Sequence, residues 1–131
     1  MMLVDTSAWI EFFRKQGNLK VKHAVARLLQ REETAFTCPI RFELLSGAKP
    51  NEEADVMQAL AFSQHVLFEP GDWLEAATLE RDLRRVGVTI PRNDLFVATV
   101  AIRTGLKILC RDQHFDRMHK VFGPRLKADQ V

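Results

Sequence analysis

Short apolar runs of three or four residues, each too brief for a helix and each followed by helical periodicity, set the class of this chain. Met2-Leu3-Val4 is the first, and beyond Asp5 the hydroxyls of Thr6 and Ser7 can cap a helix carrying Trp9, Ile10, Phe12 and Phe13. His23 to Arg31 puts Val25, Leu28 and Leu29 on one helical face before a second strand, Ala35-Phe36-Thr37-Cys38. Pro39 opens a helix that Ser46-Gly47 and Pro50 stop. Glu52 to Ser63 reads as helix, Val66-Leu67-Phe68 as a third strand, and Pro70-Gly71-Asp72 leads into a charged amphipathic helix through Arg85. Asn93 to Thr104 is apolar nearly all round, as a helix buried against a sheet is, and Gly105 closes it. Leu106 to Leu109 supplies a fourth strand, Gln113 to His119 a last short helix, and Val121-Phe122 a candidate edge strand. Strands alternating with helices imply an α/β fold with a mainly parallel sheet of four to five strands and right-handed crossovers. With 131 residues, 47% of them hydrophobic, the chain can bury one core, so a single domain over residues 1–131 is expected.

The topology directs attention to the acids. In open parallel sheets, ligands bind outside the carboxyl ends of the strands. Asp5 follows the first strand and Asp112 the fourth, although a lone Asp at a strand end is most often a turn or cap residue. Asp94 shares a helical stripe with Val97, Ala98, Ala101 and Gly105, and Glu43 lies among Ile40, Phe42, Leu44 and Leu45. A carboxylate facing an apolar interior is costly unless it is paired, solvated in a cleft or bound to a metal. Converging carboxylates also repel one another, so the set makes chemical sense chiefly around a hard cation, Mg²⁺ or Mn²⁺, of the kind that serves phosphodiester cleavage.

Composition excludes several other classes. A net charge of +2 with 27% charged residues fits neither a disordered chain nor a strongly nucleic-acid-coating one. Basic residues gather between Arg103 and Lys127, where a phosphate-binding face and an ordinary solvated face are equally good readings. Cys38 and Cys110 form no C-x-x-C and read as buried thiols, consistent with a cytoplasmic setting. An acid at position 5 interrupts any signal-peptide core, and no apolar stretch approaches the ~20 residues a membrane span needs. Neither G-x-S-x-G nor a P-loop occurs, and there is no Tyr for tyrosine-based strand transfer. A receiver-type phosphoacceptor set is missing, and Ser7 stands where a haloacid-dehalogenase-type phosphatase would need its second Asp.

Leu3-Val4-Asp5-Thr6-Ser7-Ala8-Trp9-Ile10 resembles the opening of PIN-domain proteins, especially the VapC-type toxins of toxin–antitoxin pairs. Pro39 to Gly47, Asn93 to Ala101 and Leu109 to Phe115 resemble the family's second, third and fourth motifs in the correct order, and the likeness spans nearly the whole chain. The resemblance implies an α/β/α sandwich and an endoribonuclease that cleaves structured RNA, a tRNA or rRNA, by metal-activated water. It makes Asp5, Glu43, Asp94 and Asp112 the catalytic and metal-binding residues, and it implies a cognate antitoxin and a homodimer. Two residues depart from the family pattern: Cys110 stands where Thr is common, and His114 where a second Asp is common. With Cys110 in place of that Thr, the hydroxyl that could orient a metal water is lost there, and Thr6 and Ser7 are the candidate hydroxyl contributors.

His114 is a candidate for substrate binding or metal choice, against a default of a solvated or capping histidine, which is also the default for Asp116 and His119. Asn93 can orient a water or phosphate, or cap its helix. Trp9, Phe12 and Phe13 can stack bases, but their helical spacing favours core or subunit interface. The competing functions are a PIN-like module that binds RNA or protein without cutting, which would not require the four acids, and a DNA-directed or structure-specific nuclease.

Overall fold

The computed structural model describes residues 1–131. Five strands form one all-parallel sheet: β1 (Met2–Val4), β2 (Thr34–Phe36), β3 (Gln64–His65), β4 (Lys107–Cys110) and β5 (Ala128–Gln130), in the order β3-β2-β1-β4-β5. Parallel neighbours cannot be joined by tight hairpins, so helices carry the crossovers. These are α1 (Thr6–Phe13) and α2 (Leu19–Gln30), then α3 (Cys38–Gly47) and α4 (Glu53–Ala61), then α5 (Pro70–Arg85) and α6 (Arg92–Thr104), and finally α7 (Gln113–Phe122) with a 3₁₀ turn at Gly123–Arg125. The α/β/α arrangement expected from the alternation of strands and helices is the one observed.

Strand order runs outward from β1 in one direction to β3 and in the other to β5, so the order reverses at β1. That reversal opens a crevice beside the carboxyl ends of β1 and β4. Leu3, Val4, Ile108, Leu109 and Cys110 are buried in the sheet, and Leu95, Val97, Ala98, Val100 and Ala101 of α6 belong to the same core. Burial along α6 explains its nearly uniform apolar sequence, and Gly105 ends it in the left-handed conformation at φ 73°, which costs glycine little.

Two strands lie elsewhere than the sequence suggests. The third is Gln64–His65 rather than Val66–Phe68, because pairing with Ala35 and Phe36, not apolar content, defines it. Val121 and Phe122 continue α7, where Phe122 is buried, and the edge strand is the polar Ala128–Gln130, held by register with Ile108 to Cys110. The strand expected to run through Cys38 stops at Phe36, since Thr37 takes the N-cap position of α3, without a side-chain capping bond, and Cys38 begins the helix.

Asp72, only 2% exposed, is anchored to α6. Arg103 grips both of its carboxylate oxygens, at 2.8 and 3.1 Å, and also donates to the Leu67 carbonyl at 2.9 Å. This takes Arg103 out of the basic stretch that the sequence offered as a phosphate-binding face. Removing Arg103, whose side chain is partly exposed, leaves the buried Asp72 charge with only the Glu69 N–H. Arg103→Met is therefore expected to lower stability by about 2 kcal/mol in chemical denaturation, more than a surface Arg→Met change.

Candidate metal centre

Backbone geometry positions each acid before any side-chain interaction is considered. Asp5 caps α1 directly after β1, and its N–H bonds the Leu109 carbonyl of β4 at 2.9 Å. Asp112 caps α7, accepting from the His114 N–H at 2.8 Å. Asp94 sits in the first turn of α6, and Glu43 lies in the middle of α3, which packs against both α1 and α6. The ends of β1 and β4, the start of α6 and the middle of α3 thus face one crevice.

Hydroxyls steer two of the acids. Thr6 Oγ1 donates to Glu43 Oε1 at 2.8 Å, linking α1 to α3. Ser7 donates to Asp5 Oδ2 from its hydroxyl at 2.6 Å and its N–H at 3.0 Å, while Ser7 Oγ accepts from the Arg111 N–H at 2.9 Å. Ser7 therefore ties the end of β1 to the residue that follows β4. The Arg111 amide is a participant that residue identity does not reveal, because any residue there presents the same N–H. Thr6 and Ser7, the candidate hydroxyl contributors, each bond one of the candidate acids. Asn93 does not cap: Pro91 holds the N-cap position, and Asn93 lies inside the first turn of α6.

His114 is neither solvated nor capping. Its Nδ1 lies 2.7 Å from Asp94 Oδ2 and 2.9 Å from Asp112 Oδ1, and one ligand atom from each of the three residues falls within 4.8 Å of the others. Asp5 and Glu43 stand outside that tight group but within electrostatic range of it. His119 Nδ1 donates to the Leu126 carbonyl, 2.7 Å away, and Asp116 is exposed; neither joins the cluster. Cys110 points into the core, and burial beside Asp5 pushes its thiol up to about 12, so it stays protonated and inert.

Burial dominates the electrostatics of the acids. Asp5 is 2% exposed, and desolvation, opposed by the Ser7 bonds and reinforced by the Asp94 and Glu43 charges, raises its pKa from 3.8 to about 6. Burial likewise raises Asp94, with Asp112 and Glu43 adding repulsion and His114 opposing it. Asp5 Oδ1 is buried with no hydrogen-bond partner. An unpartnered carboxylate oxygen near three further acids suits a hard divalent cation, which would satisfy the orphan atom and relieve the repulsion together.

A carboxylate whose folded-state pKa is raised stabilises the fold only while it stays protonated. The contribution is complete below about 4 and is lost as pH rises through about 6, on the order of 3 kcal/mol for the Asp5 shift. Asp5→Asn, which has no charge to desolvate, is expected to be more stable than wild type at neutral pH in chelator. The difference should vanish near pH 4 and shrink when a divalent cation is added, as read by thermal unfolding.

Comparison with known proteins places these features in a family. The PIN domain model matches residues 2–121. Over 126 residues the chain is 36% identical to a VapC ribonuclease of Mycobacterium bovis and to ribonuclease VapC11 of Mycobacterium tuberculosis, spanning 92% of this chain and 93% of theirs. Its fold matches DNA-bound VapBC from Salmonella typhimurium with a TM-score of 0.78 at 15% identity, covering 99% of this chain and 98% of that one. It also matches the toxin–antitoxin complex VapBC-5 of Mycobacterium tuberculosis with a TM-score of 0.68 at 21% identity, covering 99% and 98%. The chain belongs to the PIN-domain family, in its VapC ribonuclease branch.

Proposed function

We propose that the chain is the toxin of a toxin–antitoxin pair, a single-unit endoribonuclease that requires Mg²⁺ or Mn²⁺ and cuts structured RNA. One observation carries the reading: a buried Asp5 oxygen without a hydrogen-bond partner, set among Glu43, Asp94 and Asp112 at the carboxyl edge of the sheet.

In this reading Asp5, Glu43, Asp94 and Asp112 hold the cation. When bound there, a divalent ion supplies positive charge for phosphate oxygens and acidifies a water for in-line attack. The protein's own task is preorganisation. Thr6 fixes the Glu43 carboxylate, and Ser7 holds Asp5 Oδ2 so that Oδ1 is left for the site. Because the acids project from strand ends and helices rather than long loops, they need little rearrangement before reaction. The Thr6 and Ser7 hydroxyls are both engaged in orienting carboxylates, Ser7 Oγ also accepting from the Arg111 N–H, so in this reading water is the nucleophile and no covalent enzyme intermediate forms.

The partner is an antitoxin, as in the complexes whose fold this chain shares. Phe12 and Phe13 of α1, Leu29 of α2, Ala59 of α4 and Phe62 just beyond it line an open groove of about 560 Å³, with Phe62 65% exposed. Trp9 beneath them is fully buried and stacks on Phe13 at 5.7 Å, so these rings serve core and groove rather than a base-stacking platform. An apolar groove between helices suits the apolar face of a partner helix. A second copy of the chain would cover the exposed Leu67, Trp73 and Leu74 near the start of α5.

Wild-type protein should cleave a labelled structured RNA pool in Mg²⁺ or Mn²⁺ and stop in chelator, while Asp5→Asn and Asp94→Asn lose at least about 100-fold. Equal cutting by wild type and variants would remove the site; RNA binding without cutting would favour the non-catalytic module, and cutting of DNA alone a DNA nuclease. Phe62→Glu should weaken antitoxin capture about tenfold while leaving cleavage and a two-chain mass in light scattering unchanged.

A further inference from the structure

His114 occupies a position that the metal-nuclease reading leaves without a role. It follows Asp112 by two residues on the first turn of α7, and its ring turns back toward the crevice rather than out to solvent, leaving the side chain 28% exposed. One ring atom, Nδ1, reaches carboxylates from two separate elements: Asp94 on α6 at 2.7 Å and Asp112 at the start of α7 at 2.9 Å. A histidine that served only to neutralise one acid would need only one of these contacts.

The spacing has a further meaning. Six-coordinate divalent ions with bonds of about 2.1 Å hold neighbouring ligand atoms about 3 Å apart. The Nδ1 separations from the two oxygens, 2.7 and 2.9 Å, are close to that edge length, and the three atoms lie within 4.8 Å of one another. A cation held between Asp94 and Asp112 would lie next to Nδ1 with little movement of the ring. The buried, unpartnered Asp5 Oδ1, on a carboxylate within electrostatic range of Asp94, is an independent sign that positive charge belongs in this crevice.

We propose that His114 is itself a ligand of the metal centre, so that the site is a mixed oxygen and nitrogen set that prefers Mn²⁺ over Mg²⁺. The proposal rests on the metal-dependent reading above and adds to it. On binding, Nδ1 gives its hydrogen-bonding proton to solvent or uses the tautomer that carries the proton on Nε2, and its lone pair turns to the cation. Imidazole suits transition-metal ions, whereas Mg²⁺ favours oxygen donors and retains its waters. An Asp at this position would restore an all-oxygen set and remove the preference.

The test compares wild type, His114→Asp and His114→Ala without RNA, using calorimetric titration with Mg²⁺ and with Mn²⁺ and pulsed electron paramagnetic resonance of bound Mn²⁺. Wild type should show hyperfine coupling to a directly bound histidine nitrogen, and His114→Ala should lose it. His114→Asp should still bind both ions, with the Mn²⁺ to Mg²⁺ affinity ratio reduced about tenfold. Absence of the nitrogen coupling in wild type, its persistence in His114→Ala, or an unchanged ratio in His114→Asp would overturn the assignment. A histidine that only holds the carboxylates in place would shift both affinities together and give no coupling. If wild type binds neither ion, the metal-dependent nuclease reading falls as well; if it binds both without the nitrogen signal, only the role of His114 falls.

Discussion

Where β1 runs beside β4, with Leu3 opposite Ile108 and Val4 opposite Leu109, the chain brings together two acids that are more than a hundred residues apart in sequence. The Asp5 N–H completes the ladder on the Leu109 carbonyl, and Ser7 then accepts from Arg111. A shift of one residue in this pairing would turn every side chain of a buried strand to the other face. Burial of Leu3, Val4, Ile108 and Leu109 holds the register, so the same apolar contacts that stabilise the sheet also set the spacing of the acids.

Two carboxylates with the same exposure, 2%, show how the fold treats a buried charge in opposite ways. Asp72 receives its counter-charge from within the chain, with Arg103 on both oxygens and the Glu69 N–H donating at 2.8 Å. Asp5 receives only Ser7 on one oxygen and keeps the other unpartnered among further acids. The first arrangement is complete without any ligand. The second leaves an electrostatic demand that a positively charged ligand meets, and the stability lost to it at neutral pH is the physical counterpart of a functional site.

Much of the fold could be read directly from residues. β1, β4, α5 and α6 announce themselves because each is long enough, or apolar enough, for its period to show, and Gly105 and Pro70 mark their ends. β3 and β5 escape that logic. Gln64-His65 and Ala128-Asp129-Gln130 carry no apolar alternation, since both lie at sheet edges where pairing needs only backbone groups. Val66-Leu67-Phe68 and Val121-Phe122 look more strand-like, yet Phe68 packs edge-on against Trp73 and Phe96, and Phe122 buries itself as the end of a helix.

Sequence by itself determined which acids stand at strand ends and on small-residue helical stripes, because hydrophobic periodicity and chain order are local properties. Thr6 and Ser7 read locally as helix caps, and only the family resemblance, with Cys110 in place of a Thr, pointed to their hydroxyls. What those groups touch was decided only by tertiary structure. The burial of Asp5 with one oxygen unpartnered, the Thr6 bond to Glu43, the loss of Arg103 to Asp72 and the seat of His114 between Asp94 and Asp112 each join separate elements. Such contacts depend on how helices cross and strands pair across the whole chain, and a linear sequence carries no direct record of those distances.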